Sequence, residues 1–81
     1  EAGPDVETDR QRFREALRKA LGDLPERQRM AVVLFDVEGY SHREVGEVLN
    51  VPEGTARSDV FHARRALREA LGDWKEWREK S

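Results

Sequence analysis

The strongest constraint on the fold is a short capped helix followed by a tight turn. Ser41 is a favourable N-cap, and Glu44 stands three residues later, which is the spacing of a capping box. This pattern predicts a helix over residues 42–49. Asn50 favours the left-handed conformation that ends helices, and Pro52 then turns the chain. The apolar face of this helix is predicted to consist of Val45, Val48 and Leu49.

A longer helix is predicted after the turn, from Pro52 or Glu53 to Leu71. Its apolar stripe recurs with the helical period and is predicted to consist of Ala56, Val60, Ala63, Leu67 and Ala70. A short helix, a tight turn and a longer helix over residues 40–71 form the helix-turn-helix layout, in which the second helix enters the major groove of DNA. An ordinary pair of packed helices is the alternative. Gly46 favours a close helix crossing, because its propensity cost of roughly 1 kcal/mol needs a reason.

Two further helices are predicted before this unit, over residues 9–21 and 25–37. The predicted buried stripe of the first is Phe13, Ala16, Leu17, Ala20 and Leu21, with Gly22 as the residue after its end. The predicted buried stripe of the second is Met30, Val33, Leu34 and Val37. The sequence therefore divides into a linker remnant at 1–8, a helical domain at 9–72 and a helical tail at 73–81.

Composition excludes several classes of protein. Eighty-one residues, 40% of them charged, suffice for one small core. There is no cysteine, and the two histidines lie far apart without neighbouring ligands, so no metal or cofactor is expected. No nucleophile stands at a useful spacing from a base, and no glycine loop could cradle phosphate, so an enzyme is not expected. No apolar run reaches the roughly 18 residues of a membrane span, and no signal peptide is visible, so a bacterial or archaeal cytosol, or a nucleus, is expected.

The charge balance argues against strong DNA binding by this chain alone. The net charge is −2, and residues 52–71 carry four arginines against three acids. Affinity for nucleic acid depends largely on cations that contact phosphates. A weak basic face therefore predicts poor autonomous affinity. The chain also begins with Glu1 in a polar stretch, which favours a fragment of a longer protein or a processed start.

The polar side of the last helix contains the candidate DNA contacts. If its apolar stripe points inward, the residues that point outward are Arg57, Ser58, Phe61, His62 and Arg65. Arginine can bind guanine in a bidentate manner, and an apolar side chain can contact a thymine methyl group. For Phe61, a second core contact or a protein contact is an equal alternative. Arg64, Arg65 and Arg68 could equally form ion pairs with acids one turn away.

Four segments in order resemble region 4 of bacterial sigma factors, most closely the extracytoplasmic-function (ECF) group of the sigma-70 family. They are residues 24–29, 39–45, 51–55 and 63–68, and the resemblance spans residues 13–71. It implies a small all-α domain of four helices with a helix-turn-helix of the winged-helix-like class. It also implies a bacterial, cytoplasmic protein whose last helix binds the minus-35 promoter element.

The resemblance further implies partners and site positions. The partners would be RNA polymerase core, through the flap of its β subunit, and an anti-sigma factor. A region 2 domain would precede this one in the parent chain. Base-reading positions fall on Arg57, Ser58, Phe61 and His62. Contacts with the DNA backbone fall on Ser41, His42, Arg43 and Thr55.

The sequence departs from the family pattern at two positions. Asp59 stands where a basic residue is usual, and His62 where arginine is common. A carboxylate close to phosphates is repulsive unless it pairs with an arginine such as Arg43 or accepts from cytosine. On this basis Asp59→Arg is expected to strengthen DNA binding.

Two alternatives to a sigma domain are open. A LuxR-type response regulator has a similar module, although residues 40–45 and 63–68 favour the sigma resemblance. A domain that acts mainly in protein–protein contact, such as anti-sigma binding, is supported by the low net charge and by Asp59.

Overall fold

The computed structural model describes residues 4–72, and the side chains from residue 9 onward. Four helices follow one another: α1 at Pro4–Gly22, α2 at Glu26–Val32, α3 at His42–Leu49 and α4 at Glu53–Leu71. A π-helical segment, Val33–Val37, continues α2 directly. The described residues contain no β strand. The predicted all-α architecture is confirmed, whereas the tail at 73–81 lies outside the described residues.

The helix α4 is the central element, because α1, α2 and α3 all pack against it. Its predicted inward residues Ala56, Val60, Ala63 and Leu67 are buried. The stripe ends on buried Leu71, and the prediction that Ala70 is inward is wrong, because Ala70 is exposed.

The core consists of two clusters along α4. The first lies between α1, α2 and the C-terminal part of α4, and its buried members are Ala20, Leu24, Val32, Ala63, Leu67 and Leu71. The predicted stripe of α1 packs on this cluster and is confirmed. The second lies between α2, α3 and the N-terminal part of α4, and its buried members are Ala31, Val45, Ala56 and Val60. This second cluster fixes the helix-turn-helix unit.

The bounds and faces of the earlier helices differ from the prediction. The helix α1 begins at Pro4 rather than at Asp9, and Gly22 is its last residue rather than the residue after it. In α2 the buried residues are Ala31 and Val32. The predicted stripe there is wrong at its ends, since Met30 is 44% exposed and Val37 is 73% exposed.

The π-helical segment explains the error at Val37, whereas the exposure of Met30, which precedes the segment, is not explained by it. The Glu38 amide donates to the Val33 carbonyl at 3.0 Å, a bond that spans five residues instead of four. The wider turn changes the angular position of the residues after Val32, so a stripe drawn at the α-helical period leaves the core. Gly39 then adopts a φ of 81° and redirects the chain toward α3.

Candidate nucleic-acid interface

The start of α3 is fixed by the predicted capping box. The Glu44 amide donates to Ser41 Oγ at 3.1 Å, and the Ser41 amide donates to Glu44 Oε1 at 2.8 Å. The pKa of the Glu44 carboxyl is held below its usual value, mainly by the hydrogen bond from the Ser41 backbone and secondly by the Ser41 side chain. Ser41 therefore caps α3. The predicted contact between Ser41 and the DNA backbone would have to leave both of these bonds in place.

The turn between α3 and α4 follows from two residues that the sequence singled out. Asn50 adopts the left-handed conformation with φ 59°, as predicted, and Val51 donates to the Gly46 carbonyl at 2.9 Å. A Cβ atom on Gly46 would lie 2.7 Å from the Val51 carbonyl oxygen and 3.5 Å from the Glu53 backbone. The close approach predicted for Gly46 is confirmed, and its partners are the turn and the first residue of α4.

The outward side of α4 carries the predicted set of residues. All five members are exposed, namely Arg57, Ser58, Phe61, His62 and Arg65. Phe61 is 60% exposed, and its ring meets the His62 ring edge-on with centroids 5.4 Å apart. A second core contact for Phe61 is therefore excluded. An apolar ring on a polar face is available to DNA or to a protein.

One contact between the two helices of the helix-turn-helix joins His42 and Arg57. Arg57 Nε donates to His42 Nδ1 at 3.4 Å, across the gap between α3 and α4. His42 also stacks on Phe35, with ring centroids 4.2 Å apart and planes 6° apart. Arg43 is exposed beside His42, and Thr55 is half-buried in the first turn of α4. The structure thus brings His42 and Arg57 into contact.

The arginines of this face are held in ion pairs. Arg57 pairs with Glu53 at 3.0 Å and Arg65 with Glu69 at 3.4 Å, each one turn away on α4. These pairs are exposed, and such pairs are worth about 0–1 kcal/mol. Phosphates can therefore compete with these carboxylates for the guanidinium groups.

Arg64 has a partner that the sequence did not indicate. Its Nε donates to Asp36 Oδ2 at 2.8 Å, its Nη2 donates to the other oxygen, and its guanidinium carbon lies 5.2 Å from the centre of the Phe35 ring. The bonds with Asp36 raise the pKa of Arg64 above its usual value. Arg64 thus links α4 to the π-helical segment, and not to an acid one turn away. Sequence reasoning missed this contact because the π-helical segment sets the position of Asp36.

The prediction that Asp59 stands beside the DNA phosphates is wrong. The Asp59 side chain is 7% exposed, and its carboxylate accepts from Arg27 Nε at 2.7 Å and from Arg27 Nη2 at 3.3 Å. Its partner is Arg27 of α2 rather than Arg43. Asp59→Arg would set two cations together at a buried position, so the expected gain in DNA binding no longer has a physical basis.

Two other kinds of site are not found over residues 4–72. No group of histidine and acidic side chains in this part of the chain is arranged to hold a metal ion. Among the same residues, no helix combines the length and the apolar character that crossing a bilayer requires.

Comparison with known proteins supports the resemblance seen in the sequence. Residues 14–67 match the family model described as "Sigma-70, region 4". Over 55 residues the chain is 47% identical to "ECF RNA polymerase sigma factor SigE" of Mycolicibacterium smegmatis, covering 68% of this chain and 21% of that protein. It is 36% identical to "ECF RNA polymerase sigma-E factor" of Salmonella typhimurium and of Escherichia coli K12, covering 68% of this chain and 29% of each relative. The chain thus spans less than a third of the length of these curated relatives. The chain belongs to the sigma-70 region 4 family, and not to the LuxR-type response regulators that its sequence left open.

Proposed function

We propose that this chain recognises promoter DNA in transcription initiation, with α4 in the major groove of the minus-35 element. The observation that supports this most directly is the outward face of α4. Five of its exposed residues, the predicted set, lie on the second helix of the helix-turn-helix, and the opposite side of that helix is buried in the core. A recognition helix contacts base edges through such residues near its N-terminal end.

The roles within this face follow from side-chain chemistry. Arg57 would bind a guanine edge, and Ser58 a base or a phosphate. Phe61 would contact a thymine methyl group, while His62 and Arg65 would extend the face along α4. Arg43 and Thr55 would contact the DNA backbone near the starts of α3 and α4, where helix dipoles also favour phosphate.

The proposed partners are promoter DNA, RNA polymerase core through its β flap, and an anti-sigma factor, in the bacterial cytoplasm. The relatives' names include RNA polymerase and support the second partner. The net charge of −2 and the paired arginines predict that the polymerase supplies much of the affinity. One argument for a purely protein-binding domain is removed, because Asp59 is buried rather than exposed on the face.

A selection from random DNA tests this function and requires no chosen promoter sequence. The 81-residue chain is incubated with a library of random duplexes at low salt, bound duplexes are sequenced, and affinities for the enriched and scrambled sequences are measured. We expect an enriched sequence whose affinity falls steeply between roughly 50 and 200 mM salt, as counterion release requires. Absence of enrichment together with negligible binding at low salt would support the protein-binding alternative.

A further inference from the structure

The contact between His42 and Arg57 supports a role for His42 other than direct DNA contact, and this role rests on the proposed function. Arg57 has two contacts of different kinds. Glu53 binds Nη2 from one turn earlier on α4, so this bond cannot orient Arg57 relative to α3. His42 belongs to α3, and the bond from Arg57 Nε to its Nδ1 ties the arginine to a second helix.

These two contacts leave three N–H donors of the Arg57 guanidinium unengaged. A guanidinium carries five N–H donors, and His42 and Glu53 engage the one on Nε and one on Nη2. Two of the remaining donors are on Nη1 and one is on Nη2, and arginine donors of this kind bind guanine O6 and N7. The Arg57 side chain is 59% exposed, so a ligand can approach it.

The imidazole of His42 is itself held in place. Phe35 stacks on it with nearly parallel planes, and Phe35 packs against the second core cluster. The guanidinium of Arg64 lies over the same phenyl ring and is anchored by Asp36. A connected series of contacts therefore runs from the core through Phe35 and His42 to Arg57.

We propose that His42 is a positioning residue for base readout: its Nδ1 orients the Arg57 guanidinium, and Phe35 holds the imidazole for that purpose. In this role His42 acts on the sequence preference of Arg57 instead of serving mainly as a phosphate ligand. An acceptor at Nδ1 requires the ring proton on Nε2 of the neutral imidazole. Holding Arg57 in one orientation before binding lowers the entropy lost when it meets a base.

Two substitutions separate the acceptor from the stacking. His42→Phe keeps an aromatic ring against Phe35 but removes the acceptor. His42→Asn removes the ring but places an amide oxygen close to the position of Nδ1. We expect His42→Phe to lower the preference for the selected duplex over a scrambled one by about three- to tenfold. His42→Asn should retain most of the preference, and Arg57→Ala should abolish the effect of His42→Phe.

The contact can also be tested without DNA. The tautomer of each histidine ring is read from its ¹⁵N chemical shifts, with His62 as the internal reference. We expect the Nε2–H form for His42, and a change in its Nδ1 shift in Arg57→Ala that His62 does not show.

The outcomes distinguish this inference from the proposed function. Equal loss of affinity for selected and scrambled DNA in His42→Phe would make His42 a phosphate ligand and overturn the inference, as would no loss at all. If the unsubstituted chain binds duplexes at low salt without enriching any sequence, the proposed function fails. The ¹⁵N result then decides on the contact alone, and a His42 spectrum unchanged by Arg57→Ala overturns it.

Discussion

Arg27 and Asp59 form a fork-shaped ion pair that joins the start of α2 to the buried side of α4. The two partners are unequally exposed: the Arg27 side chain is 54% exposed and that of Asp59 is 7% exposed. The carboxylate therefore depends on the arginine more than the arginine depends on the carboxylate. A buried charge without its partner is costly, whereas an exposed guanidinium can be solvated.

This asymmetry predicts unequal effects of removing each partner. Arg27→Met should lower the free energy of unfolding by about 1–3 kcal/mol, because a buried carboxylate is left unpaired. Asp59→Asn should cost less, since Arg27 can be hydrated. Urea unfolding of both variants measures the difference.

A double variant is the control for this pair. Arg27→Met combined with Asp59→Leu leaves no buried charge, so it should be more stable than Arg27→Met alone. A double variant less stable than either single variant would show that the pair is not the reason for the loss.

Gly46 and Gly54 offer a matched comparison within the helix-turn-helix. Alanine at Gly46 gains helix propensity, but its Cβ would clash with the Val51 carbonyl at 2.7 Å. We expect a net loss of about 1–3 kcal/mol in the free energy of unfolding, as for overpacking. Alanine at Gly54 in α4 meets nothing within 4 Å and should gain up to about 1 kcal/mol. Thermal unfolding of Gly46→Ala and Gly54→Ala measures both, and a stabilised Gly46→Ala would contradict the close approach.

How far the sequence predicts this fold depends on whether a signal is local. The α3 cap, the left-handed Asn50 and the start of α4 all follow from residues within a few positions of one another, and each is confirmed. The outward face of α4 follows from a regular period over a long helix and is confirmed in its exposure.

The prediction errors arise where the position or partner of a residue is set by an irregular segment or by residues distant in the sequence. The π-helical segment after Val32 breaks the period on which the α2 stripe was drawn, so Val37 is exposed. The partner of Asp59 stands 32 positions earlier in the chain, and no local pattern indicates it. Val48 is 52% exposed, against the prediction, because α3 turns its Val45 side to the core.

The capping box predicts a dependence of stability on pH. Bonds with Ser41 lower the pKa of Glu44 in the folded chain. Its contribution is therefore present above the unfolded-state pKa and is lost as the pH falls through the folded-state pKa. We expect the unsubstituted 81-residue chain to lose more stability on acidification than Glu44→Gln does. Urea unfolding repeated across the acidic range measures this difference. Glu47→Gln, at an exposed position of α3 outside the capping box, is the control and should retain the pH dependence of the unsubstituted chain. Identical pH dependence in Glu44→Gln and the unsubstituted chain would show that the cap does not contribute in this way.

The central claim is that the outward face of α4 reads DNA, and Arg57→Ala against Arg18→Ala tests it most directly. Arg18 is an exposed arginine of α1, so both variants lose one positive charge. Affinities for the selected duplex, for its single-base variants and for a scrambled duplex are measured at one salt concentration. We predict that Arg57→Ala weakens binding of the selected duplex by about 1–3 kcal/mol and relaxes the preference at one base pair, while Arg18→Ala keeps both. Equal losses in the two variants, or an unchanged base preference in Arg57→Ala, would contradict the account.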